Sequence, residues 1–291
     1  MDGALVLCRV LHYGSALLVF GVGAFQGWLA PPVLANSLDA ALWRIVRLAA
    51  VVAFLSALAW LFLASGEMGD GWSDVWNPAT WYAVLADTEF GHVWQFHLLL
   101  AAVLAGLVLS RPGGHWRLLS ILAAFYLGGL GFIGHAVMLD GSEGWISRAS
   151  HVVHLLAGGF WLGALAPLSL CLGKLGDAEL RPDISYALRR FSGLGHIAVA
   201  AVIASGIVNV ALVLGQWPTD TSSPYQALLL CKVALVAAMI GFAIVNRYVL
   251  VPKIRNGGAA LRGLRFCTLA ELVLGFCVVA LVSLFGTLPP Q

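Results

Sequence analysis

Apolar runs of about twenty residues recur along this chain, separated by proline, glycine and arginine, and lipid is the solvent that suits them. A bilayer core of roughly 30 Å is crossed by about 20 helical residues rising about 1.5 Å each. Eight segments meet that length: 4–30, 40–65, 90–110, 117–139, 149–173, 188–215, 225–250 and 265–286. Pro31-Pro32, Arg111-Pro112-Gly113-Gly114, Pro218, Pro224 and Pro252 fall in or beside the gaps, where helices end. Only 10% of the 291 residues are charged, against about 25% in a soluble domain. The expected fold class is an all-α integral membrane protein with eight transmembrane helices. Met1 to Cys8 has no basic leader, so the N-terminus is expected to persist as the first span.

Charge sets the orientation. Alternate loops and helix ends hold 13 of the 16 Lys and Arg, Arg189-Arg190 and Arg262 with Arg265 among them. The opposite set is acidic, with Asp2, Glu67, Asp70, Asp74, Asp87, Glu89, Asp140, Glu143 and Asp220. The basic side is expected to be cytoplasmic and both termini periplasmic. The tryptophans of 66–89 suit a segment lying at the interface. A net charge of +2 gives no reason to expect nucleic acid, and no phosphate-binding loop for a nucleotide is present.

A faint repeat runs through the sequence. Arg9-Val-Leu-His12 opens the first helix and Arg148-Ala-Ser-His151 the fifth; Ala30-Pro31 matches Ala166-Pro167. Phe90 to His97 can be laid on Tyr225 to Lys232, which sets His97 opposite Lys232. Four helices per unit imply a parallel duplication, 1–140 and 141–291, about an axis along the membrane normal.

Ionisable groups inside spans are costly and point to function. His12, His92, His97, His135, His151 and His154 all fall within about 15 Å of the acidic surface, and His196 alone lies toward the basic one. Cys8 with His12, His135 with Met138 and His151 with His154 are three or four residues apart, on shared helix faces. One intramembrane histidine is usually an interhelical hydrogen-bond partner. Six at one depth suggest a metal or metallo-cofactor, and imidazole, thioether and thiol favour copper. His92, nearest the surface, is the expected bystander. Met68, between Glu67 and Asp70, suits a transfer ligand. Glu271 is expected to meet a basic-side arginine, Asn246 to join helices, and Trp161 to pack.

The run Gly134-His135-Ala136, then His151-Val-Val-His154 through Gly158-Gly159-Phe160-Trp161-Leu162-Gly163, resembles the CopD copper-resistance membrane proteins. Arg190-Phe191-Ser192, Asn209, Pro224-Tyr225, Asn246-Arg247, Glu271 and Pro289-Pro290 follow in the order of that family. The resemblance implies a bacterial inner-membrane protein that moves copper from periplasm to cytoplasm, supplied by a separate CopC-like periplasmic carrier. It carries the family's important histidines onto His135, His151 and His154, and less directly onto His12 and His97.

Two other functions stay open from the residues. Inward histidines in four-helix units also describe haem b membrane redox proteins, with His12, His97, His135 and His154 as axial ligands. A docking site that buffers copper for a periplasmic carrier, without moving it, is the third.

Overall fold

The computed structural model describes residues 1–110, 114–256 and 258–290, without the side chains of 135, 136 and 254–256. The expected break at Arg111-Pro112-Gly113 and the side chains of His135 and Arg255 thus lie outside the described residues. Among those described, seven helical stretches are long and apolar enough to cross a bilayer. They comprise α1 (Asp2–Ala24, continued by a π turn Phe25–Leu29), α2 (Pro32–Met68), α4 (Glu89–Ser110), α6 (Gly141–Gly173), α7 (Arg181–Leu214), α8 (Pro224–Ile244, continued by a π turn Val245–Leu250) and α9 (Gly258–Phe285). The short α3 (Pro78–Asp87) and α5 (Trp116–Gly129) complete the set.

Local chemistry explains the boundaries. Proline in the first turn opens α2, α3, α7 and α8, where the missing N–H costs no helix bond. Asn77 and Ser223 side chains cap α3 and α8. Gly215, with φ +64°, closes α7 in the left-handed conformation. Pro167 does not end its helix; α6 runs through it to Gly173.

The fourth segment departs from expectation. A helix over 117–139 was the sequence reading, but α5 stops at Gly129 and two 3₁₀ turns follow, Leu130–Phe132 and Gly134–Val137. The cause is close approach to α6. A Cβ on Gly131 would stand 2.7 Å from Val152 Cγ2 and 3.0 Å from Val152 N, and Gly134 takes φ +70°.

The chain between α2 and α4 folds into a 3₁₀ turn (Gly71–Trp76) and α3. Trp72, Trp76 and Tyr82 are exposed there, while Trp81 donates to Val75 O and packs on Phe62. This suits a headgroup-level segment.

Helices α1 and α6 cross at the centre of the bundle with almost no side chain between them. A Cβ on Gly21 would lie 2.4 Å from Gly163 backbone atoms, and one on Gly163 would lie 2.2 Å from Leu17 O. α1 also packs on α2 and α5, and α6 on α7 and α9. The largest buried core surrounds α1, α2, α4 and α5; only small clusters lie among α7, α8 and α9. Polar bonds fasten both ends: Arg9 Nη1 donates to Gly286 O at the acidic end, and Lys174 Nζ to Ser37 O at the basic end.

Candidate metal-binding site

The deepest polar cluster of the N-terminal region hangs from α1. Cys8 and His12, one turn apart, face α2. Cys8 Sγ donates to Ser56 O at 3.2 Å, and His12 Nδ1 lies 3.0 Å from Ser56 Oγ. Ser56 Oγ donates to Ala53 O, so it accepts the Nδ1–H of His12. His12 Nε2 is then the unprotonated nitrogen, and it accepts from His97 Nε2 at 2.9 Å. His97 Nδ1 is left unprotonated and buried, with no hydrogen-bond partner among the described residues.

Aromatic rings seal this pair. His97 stacks between Trp94 and Tyr126, at centroid distances of 4.6 and 4.1 Å, and Trp60 meets His12 edge-on. His12 is 0% exposed and His97 2%. Tyr126 donates to Ala53 O and lies 3.3 Å from His12 Nε2. Two neutral imidazoles from different spans thus meet in a dry pocket with a thiol one turn away. That is the chemistry of a borderline or soft metal site. A metal–imidazole bond is about 2 Å, so one ion between the Nε2 atoms needs roughly 1 Å of separation.

A second cluster repeats the local pattern on α6 and α7. Ser150 Oγ donates to Ser205 O at 3.2 Å, and His154 Nδ1 lies 3.0 Å from Ser205 Oγ. Ser205 Oγ donates to Ala201 O, so it too accepts an imidazole N–H. Lys232 on α8 lies within electrostatic reach of His154, its ammonium 5.9 Å from the Phe285 ring. His151 is half-buried on the same helix.

The remaining expected ligands are dispersed. Met68 and Met138 are both exposed, and His92 bonds to Ala86 O at the surface. Among the described residues no three His, Cys, Asp or Glu side chains converge on one point. His12 and His97 also belong to the haem reading, and an iron between their Nε2 atoms would need the same separation as a copper ion.

Sequence reasoning missed the serines. Ser56 and Ser205 decide which imidazole nitrogen is open, but an isolated serine in an apolar helix carries no visible signal. Among the described residues Glu271 meets no arginine, contrary to expectation: it accepts from Trp161 Nε1 at 3.3 Å and Asn246 Nδ2 at 2.8 Å. Trp161 is therefore a donor as well as a packing residue.

Comparison with known proteins agrees with a copper-related membrane bundle. Residues 1–145 match the family model described as copper resistance protein D-like, N-terminal domain, and residues 185–285 match copper resistance protein D. The chain is 37% identical over 286 residues to Inner membrane protein YebZ of Escherichia coli (strain K12), covering 98% of each. It is 28% identical over 305 residues to Copper resistance protein D of Pseudomonas syringae pv. tomato, covering 100% of this chain and 98% of that one. No solved structure matches. This multi-pass helical membrane protein belongs to the copper resistance protein D family.

Proposed function

We propose that this protein imports copper across the bacterial inner membrane, with capture in the acidic half of the bundle. The observation that carries this is the His12–His97 contact: two buried neutral imidazoles, Nε2 to Nε2, on separate spans. Ser56 fixes the tautomer of His12 so that its open nitrogen faces His97. Copper is the cargo, held by His12 and His97 with Cys8 within a helical turn. His151 and His154 form the counterpart station on α6, and His135, Met138 and Met68 lie toward the entry side. The acidic loops, periplasmic by the positive-inside rule, favour approach of a cation or of a CopC-like carrier.

The bundle is read as eight spans with both termini periplasmic, α5 and its 3₁₀ extension being the short fourth. It is also read as two duplicated units, 1–140 and 141–291. The hydrogen bonds support this reading with a register three residues from that of the Arg-x-x-His repeat. Cys8 and His12 correspond to Ser150 and His154, Ser56 to Ser205, and His97 to Lys232. On the same register Gly21 corresponds to Gly163, and those two glycines touch each other, as equivalent positions on a two-fold axis must.

The test is copper uptake into vesicles holding the purified protein. The paired change His12→Ala with His97→Ala is expected to abolish uptake. Ser56→Ala should lower copper affinity by about 10- to 100-fold with both ligands intact. Binding without flux would replace import by buffering. Undiminished uptake in the double variant would remove the imidazole pair from the path.

A further inference from the structure

A separate polar site lies at the basic end of the C-terminal helices, away from His12, His97, His151 and His154. Between α6, α7, the end of α8 and α9 opens a cavity of about 1670 Å³, room for on the order of fifty waters. Arginines 181, 189 and 247 lie along its walls, with His196 and Tyr248 hydrogen-bonded to each other. Glu271 lines it as well, deep in α9 and only 3% exposed.

The surroundings of that carboxylate are unusual for a buried charge. Its hydrogen-bond partners, Trp161 and Asn246, are neutral, and Arg247 is turned to Ser192 instead. Around it two oxygen atoms are buried without partners among the described residues. One is Asn246 Oδ1, whose amide donates to Glu271; the other is Thr268 Oγ1, one turn away on α9 and 1% exposed. A helical threonine normally donates to the carbonyl one turn back, so an unpartnered one in a cavity wall is available to a ligand. Carboxylate, amide oxygen and hydroxyl form a hard, all-oxygen set, ill-suited to a soft metal.

We propose that Glu271, with Asn246 and Thr268, forms a proton-binding site reached from the basic end through this cavity. The carboxylate takes a proton from cavity water to become a neutral acid, and returns it to the same water. The other titratable or charged groups lining the cavity are Arg181, Arg189 and His196 on α7 and Arg247 and Tyr248 after α8, and Cys267 on α9 lies within electrostatic reach of Glu271. None of these hydrogen-bonds to the carboxylate among the described residues. Assigning the exchange to the cytoplasmic face rests on the orientation proposed above; the proton site does not.

Infrared difference spectroscopy on the whole protein tests this without copper. A carboxylic acid carbonyl band should grow as pH falls and vanish as it rises, be absent in Glu271→Gln, and shift in Thr268→Val. A band that tracks sodium at fixed pH would make the ligand a monovalent cation and overturn the proton assignment. A Glu271 band that never changes would end the proposal, because a permanently charged or permanently neutral carboxyl is structural. Because copper uptake is not read, this result stands or falls apart from import.

Discussion

The two halves of this bundle share a local hydrogen-bond pattern and differ in almost everything around it. In the N-terminal half α2 packs along α4, and the imidazoles of His12 and His97 touch inside a cage of tryptophan and tyrosine. In the C-terminal half the same serine-bound imidazole, His154, faces a lysine. There α8 leans chiefly on α9, and a cavity opens at the basic end between α6, α7, the end of α8 and α9. Within the most apolar stretch of each helix, 56% of residues in α2 are buried, against 17% in α7 and 11% in the stretch that begins with α8. One half is thus built to hold a geometry, and the other presents faces to lipid and water. A dry site fixes ligands tightly, and an open one exchanges with solvent. Capture and release call for those two properties.

The comparison breaks first at the seam the halves share. Gly163→Leu would drive a side chain into Leu17 O and the backbone of Gly21, so both halves should come apart. A loss of about 3 kcal/mol or more is expected, seen as a collapse of monodisperse yield and Tm. Wild-type behaviour would mean that α1 and α6 do not touch there. Next in size is the contrast between His97 and Lys232, counterparts on the proposed register. His97→Ala empties the space between Trp94 and Tyr126 and strands His12 Nε2, at a cost of about 2–3 kcal/mol. Lys232→Ala, at the open face, should stay within about 1 kcal/mol of wild type. Equal losses in unfolding experiments would show that the two halves are equally packed.

The smallest effect concerns the acidic loops. Asp74 accepts from Asp70 N, Asn77 Nδ2 and Thr80 Oγ1, which together hold its carboxyl below the usual carboxylate range. Asp220 is lowered by the Ser222 hydroxyl and then by the Ser222 N–H. A depressed carboxylate orders its loop at every pH above the ordinary value and releases it as pH falls through the lowered one. Tryptophan fluorescence from 66–89 should therefore show a strongly acidic transition. Asp74→Asn removes it; Asp220→Asn leaves it in place. The reverse result would put the reporter tryptophans against the wrong loop.

The spans could be read from sequence because hydrocarbon tolerates so few alternatives: Pro32, Pro182 and Pro224 sit where they must, in first helical turns. The pairing of His97 with Lys232 came from a short run of similar residues, and the two are counterparts only on the register proposed above. The proposed register lies three residues from the repeat at Arg9 and Arg148, and those two arginines make different contacts. Arg9 reaches Gly286 O, whereas Arg148 lies over Trp145. The serines that orient His12 and His154 were invisible, since their role exists only across a helix interface. Shortening of α5 was also hidden, because Gly128, Gly129 and Gly131 read equally well as close packing within an intact helix.

That short helix has a consequence for the His12–His97 pair. The 14 residues of α5 span about 21 Å, well short of a bilayer core. Where it gives out, at Gly129, a Cβ would stand 3.4 Å from His97 Nδ1. Hydrocarbon cannot solvate the amides of the unwound turns beyond, so these need protein or water around them on the acidic side. Measured through protein the imidazoles are deep, but measured from the nearest wet surface they are shallow. On the proposed path an ion would shed its hydration over a shorter distance than half a membrane.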